Sequence, residues 1–320
     1  MSFDFDAAVT APFRMQPGLR RLAAGATHLT PLAPGSRHQR EKLAVLSAFA
    51  ASALLCERGF DARPALTTLC RQAALEHPEA FSWNGSRATA HALHVSVEAD
   101  EVLEQGQGSF GLGNEIGQCL QQLPAGWRLA GLLSLAFAED FAVVDARSAT
   151  VPWLAVCLPS HWAPEDKIGR LLADVHGPVA DGERLREASR HLARLVCGPD
   201  RWERFVWTVA SHPRLHAHPA RTDRSDWSRV LPGEVSSACW WRTERQTFIP
   251  VPQAEEAVFT IQVEVSPLPR AIDTPERARR LHAALASMSA AALDYRGLTN
   301  LVPALLAWLV QRSEDSQDGD

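Results

Sequence analysis

His176 is the residue in this chain whose setting most suits metal chemistry. Pro164, preceded by Ser160 and followed by Glu165 and Asp166, has the marks of a helix start, and Gly177-Pro178 those of a stop. Between them Ile168, Leu171, Leu172, Val175 and His176 recur at helical spacing, so the stretch predicts a helix with His176 on its buried face. A buried imidazole at a helix end can ligate a metal through one ring nitrogen while a backbone carbonyl fixes the other. The same pattern also suits a core histidine whose ring is satisfied by hydrogen bonds.

The second informative stretch, Val235 to Val265, predicts a β-hairpin turning at Pro250 to Gln253. Strand alternation puts Arg242, Glu244 and Gln246 on one face and Trp241, Thr243, Arg245 and Thr247 on the other. Three long polar groups in a row, flanked by indoles, can clamp a carboxylate or an amine; a solvated sheet face is the plain alternative.

Other polar clusters carry less. His212, His216 and His218 have spacing that zinc accepts, but the interleaved Pro and Arg residues favour a surface loop. Gly106 to Gly117 superficially resembles a phosphate-cradling loop without a βαβ frame or a Walker lysine, and is read as a flexible surface loop. Glu139-Asp140 interrupts an apolar run, Leu132 to Asp145, that is read as a strand; the pair is either at that strand's exposed edge, the favoured reading, or functional.

These residues need a scaffold, and the composition supplies one: 320 residues with 46% apolar content can bury a sizeable core. The predicted order is an extended arm over 1–40, helices over 41–57 and 65–76, and strands over 132–145 and 151–158. The His176 helix follows, then an amphipathic helix over 182–197, the hairpin, and helices over 275–291 and 302–312. Residues 41–312 are read as one α+β domain and the acidic residues 313–320 as a disordered tail. A net charge of −5 argues against a nucleic-acid partner, and no stretch suits a signal peptide or membrane span. Six scattered cysteines without a C-x-x-C pair point to free thiols in a cytoplasmic protein.

Several motifs together resemble one family. Glu139-Asp140-Phe141, Leu158-Pro159-Ser160-x-Trp162-x-Pro164-x-x-Lys167-x-Gly169, His176-x-Pro178-Val179, Arg242-x-Glu244-Arg245-Gln246-Thr247, Phe259-Thr260-Ile261 and Tyr295-Arg296-Gly297-Leu298 occur in the order seen in the haem-dependent oxidative N-demethylase α-subunit family. Pro12-Phe13-Arg14-Met15 with Gly18-Leu19 fits as well. Two departures are Ala180, where the family often has proline, and His161 before Trp162.

The resemblance implies a PAS-like antiparallel sheet elaborated with N- and C-terminal helices and binding haem b. It implies monooxygenase-type removal of a methyl group from a secondary amine such as dimethylamine, using O₂ and releasing formaldehyde, with electrons from separate flavin and iron–sulfur subunits. On this reading His176 ligates the iron, with Arg242, Arg245, Trp162 and Lys167 as further candidate cofactor-binding residues. Glu244 and Gln246 are the candidate catalytic pair, Glu244 orienting the cationic amine. A haem- or gas-sensing PAS module and a cofactor-free structural subunit are the competing readings.

Overall fold

The long hairpin forms with the expected alternation, but it starts at Trp240, because Val235–Ala238 is a helical turn, and it turns at 252–255, because Pro250 and Val251 still pair with Ala257 and Glu256. In the computed structural model, which describes residues 3–14, 18–108, 110–172, 183–222, 227 and 230–314, seven antiparallel strands make the main sheet. They are β1 (Arg20–Arg21), β2 (Leu54–Cys56), β7 (Asp140–Asp145), β8 (Thr150–Ala155), β9 (Trp202–Ala210), β10 (Trp240–Val251) and β11 (Glu256–Pro267), ordered β1-β9-β10-β11-β7-β8-β2. A second sheet is the meander β3 (Phe81–Trp83), β4 (Arg87–Ala90), β5 (Val95–Glu98) and β6 (Glu101–Glu104). The α+β class is therefore as expected.

Among the helices are α1 (Phe5–Ala8), α2 (Arg37–Ala53), α3 (Arg63–Glu76), α4 (Glu115–Gln122), α5 (Arg128–Ala136), α6 (Glu183–Val196), α7 (Pro275–Ala286), α8 (Ala290–Tyr295) and α9 (Val302–Glu314). Helices α2, α3 and α5 share a core with both sheets, while α7 to α9 pack with Trp207 and Trp241 in a second core. The N-terminal residues are tied down: β1 pairs with β9, and Phe3 and Phe5 meet the Trp241 ring.

Four further elements differ from expectation. Helix α2 breaks at Phe49 (φ −139°, ψ 28°), and Leu54–Cys56 leave it to pair with β8. The first half of the apolar run 132–145 is helix α5, because it lacks the alternation of a half-buried strand and is rich in leucine. The helix predicted from Pro164 stops after one 3₁₀ turn, Pro164–Asp166. Gly169 then takes φ +68°, and the N–H groups of Gly169 and Leu172 donate to Val151 and Ala149 carbonyls, tying the chain to β8. Helix α9 runs to Glu314, two residues into the predicted tail.

Glu139 and Asp140 are not at an exposed edge; each is 1% exposed. Lys42 of α2, wholly buried, reaches them: its Nζ donates to the carbonyls of Phe137 (3.0 Å) and Glu139 (2.6 Å) and faces Asp140 Oδ1 at 3.1 Å. Asp140 Oδ2 accepts from Leu158 N–H at 2.6 Å, and Glu139 Oε2 from Thr30 N–H at 2.9 Å. A lysine and two backbone amides compensate most of the burial, leaving Glu139 Oε1 without a hydrogen bond among the described residues.

Burial pushes the Glu139 carboxyl up to about 7 from an ordinary 4.5. Between those values the folded chain holds more protons than the unfolded one. Stability therefore falls as pH rises from 4.5 to 7, by up to about 3 kcal/mol. Glu139→Gln, which keeps the acceptor for Thr30, should flatten that slope in denaturant melts across this window; parallel curves for the two proteins would contradict it.

Candidate functional site

Cross-strand register builds the site on one face of the main sheet. It aligns Arg204 with Gln246 and Ile261, Val206 with Glu244 and Val263, and Thr208 with Arg242 and Val265. Glu244 (9% exposed) and Gln246 (8%) are buried, not solvated, and Gln246 Nε2 donates to Glu244 Oε2 at 2.6 Å. The bond holds one carboxylate oxygen and fixes the direction of the other.

Aromatic and aliphatic groups close one end of this face. Phe248 stacks on Phe259 with ring centroids 4.8 Å apart, packed with Ala193 and Val196 of α6 and with Leu172. Trp162 packs in the adjoining cluster with Leu154, Val156 and Ile168, which also meets Phe259 and Leu172. The chain thus leaves this face at Leu172 and returns to it through α6. His176 falls in the intervening residues, outside those described.

Arg242 closes the other end, but not as an open carboxylate clamp. Its guanidinium donates to Ser160 Oγ (2.8 Å) and to the carbonyls of Leu158 (3.4 Å), Pro159 (3.0 Å), Arg214 (3.1 Å) and Leu215 (2.7 Å). With its donors so engaged it brackets two loops, and burial draws it down to about 10. Arg245 lies on the opposite face, donating to Glu203 Oε2 (3.1 Å) and the Thr27 carbonyl (2.9 Å). That geometry ties the N-terminal segment to the sheet. Lys167 is half-buried, and burial lowers its ammonium below the usual lysine range.

Sequence reasoning passed over one residue of this face, Arg204, and named Tyr295, the chain's single tyrosine, without placing it. Arg204 is deeply enclosed, which lowers it from the arginine norm, yet its side chain keeps some contact with solvent. Glu244 and the Tyr295 hydroxyl both act on it electrostatically, and burial raises that hydroxyl. Arg204 was visible as a charge inside a strand; its neighbours depend on a register that no local pattern gives.

The histidine segment is a built loop instead of a free surface one. Leu215 and His216 N–H both donate to Glu41 Oε2 at 2.9 Å, His216 Nδ1–H donates to the Cys157 carbonyl at 2.7 Å, and His218 Nε2 meets Glu165 Oε2 at 3.1 Å. The His212 ring lies 5.6 Å from that of His161, and burial lowers His212 and His216. Among the described residues no group of three His, Cys, Asp or Glu side chains is arranged to hold a metal ion.

The glycine-rich loop has its anion place already filled by Glu115, whose carboxylate accepts from Gly113 N–H (3.0 Å) and from Leu112 N–H. No helix among the described residues is long and apolar enough to cross a membrane. The described cysteines are all free thiols, with Cys70, Cys119, Cys157 and Cys239 buried.

One face of the main sheet of this α+β protein thus carries a buried carboxylate, an enclosed guanidinium and, at one end, stacked aromatic rings. Residues 62–306 match the family model described as haem-dependent oxidative N-demethylase, alpha subunit-like. The match covers most of the chain, which belongs to this family.

Proposed function

We propose that the chain binds haem b on the Glu244 face and oxidatively removes a methyl group from a methylated secondary amine such as dimethylamine. The observation that carries this is Glu244. It is a buried carboxylate, held by Gln246, on the face that the chain leaves and rejoins on either side of His176. A flat apolar ring bearing carboxylates suits a sheet face that carries Phe248, Phe259 and Trp162 at one end and a guanidinium at Arg204. The order β8-β7-β11-β10-β9 within the sheet supports the PAS-like reading.

In this proposal His176 would hold the haem iron, and Trp162 would lie against the ring. Lys167 stays a candidate near its rim, whereas Arg242 positions the Leu158–Ser160 loop and Arg245 is left out. When bound, haem supplies O₂ activation and C–H oxidation. Glu244 attracts the ammonium of the amine and sets which methyl group faces inward, and Gln246 keeps that carboxylate in one orientation. One oxygen atom enters the methyl group, which departs as formaldehyde and leaves a primary amine. The other becomes water with two electrons and two protons from flavin and iron–sulfur reductase subunits.

The test is formaldehyde release by haem-loaded protein given O₂, a reductant and dimethylamine. Formaldehyde should appear in step with amine consumed. Haem reduction and O₂ binding without amine-dependent formaldehyde would overturn the reading and favour a gas sensor.

A further inference from the structure

Three guanidinium groups near this part of the sheet are engaged by protein. Arg242 brackets carbonyls, Arg245 pairs with Glu203, and Arg296 donates to the Trp207 carbonyl while lying over the Phe13 and Trp207 rings. Arg204, paired across the strands with Gln246, donates no hydrogen bond among the described residues. A charge enclosed by protein and lacking a bonded partner is unfavourable unless something else supplies the partner.

Glu244 does not fill that role. It attracts Arg204, yet one of its oxygens is bonded to Gln246 and no ion pair joins Glu244 to Arg204. The two side chains project from adjacent strands on the same face, one register step apart. The face therefore offers a cation and an anion side by side, and Arg204 retains both the solvent contact and the planar fork that suit a carboxylate.

We propose that Arg204 is the carboxylate-binding residue of this face, an assignment that rests on the functional reading above. The carboxylate is a propionate of the bound haem or the carboxylate of an N-methylated amino acid whose ammonium sits at Glu244. Both sources present the same planar acceptor, and two arms of one experiment separate them.

In the first arm, wild type, Arg204→Gln and Arg204→Lys, with melting curves to establish folding, are titrated with haem and with haem dimethyl ester. A propionate contact predicts that Arg204→Gln weakens haem binding about tenfold or more while ester binding is unaffected, with part of the loss restored in Arg204→Lys. In the second arm, formaldehyde release is compared for dimethylamine and N-methylglycine. A substrate carboxylate predicts unchanged haem affinity and a KM for N-methylglycine raised about tenfold in Arg204→Gln, with dimethylamine unaffected.

If Arg204→Gln matches wild type in both arms, the assignment is overturned and Arg204 serves only the sheet. A wild type that takes up no haem overturns the functional reading instead. Arg204 is then judged by calorimetry with N-methylglycine alone: binding lost in Arg204→Gln supports the clamp, and equal or absent binding refutes it.

Discussion

Replacing Lys42 by methionine is expected to lower the unfolding free energy by about 3–5 kcal/mol, as removal of one partner from a buried ion pair does. The Lys42 ammonium has no solvent contact, and it holds Asp140 Oδ1 at 3.1 Å and the carbonyls of Phe137 and Glu139. Methionine fills a similar volume, so the loss reports polar groups left without a partner, not a cavity. The damage should also reach the site. Asp140 holds Leu158 N–H, and Leu158 opens the Leu158–Ser160 segment that Arg242 grips. Denaturant unfolding of wild type and Lys42→Met measures the difference; a loss below about 1 kcal/mol would show that the pair contributes little.

Glu244→Gln is expected to reduce kcat/KM for dimethylamine about 30- to 160-fold, mainly through KM, with haem affinity preserved. The substitution is isosteric and can keep a hydrogen bond with Gln246, so it removes charge and leaves shape. A charge-assisted hydrogen bond to a buried carboxylate contributes about 2–3 kcal/mol, which converts to that range. The loss should be smaller for a neutral competitor of similar size, measured as inhibition of the same reaction. An unchanged KM for the amine would remove Glu244 from substrate binding.

The hairpin and the shared face of Arg242, Glu244 and Gln246 were legible because strand alternation is a local signal. Which guanidinium stays open was not. Arg242 and Arg245 look alike in sequence, but one meets four carbonyls and the other a carboxylate, and both sets of partners come from distant segments. Arg204 emerged only when β9 was set beside β10.

Helical spacing after Pro164 misled for a related reason. Ile168 is partly buried, but in chain hydrogen-bonded to β8 and turned by Gly169; Leu172 is again helical, and Val175 and His176 lie outside the described residues. Glu139 and Asp140 were misplaced because their buried partner, Lys42, lies about a hundred residues away in sequence. The family resemblance rested on motifs spread over most of the chain, which is why it was specific where each motif alone was weak.

The most direct measurement is the visible absorption spectrum of haem-reconstituted wild type beside His176→Ala. A wild-type Soret band and ligand-field bands that shift or vanish in His176→Ala, with partial return on adding imidazole, are the predicted result. Identical spectra for the two proteins, or a wild type that takes up no haem, would contradict the account.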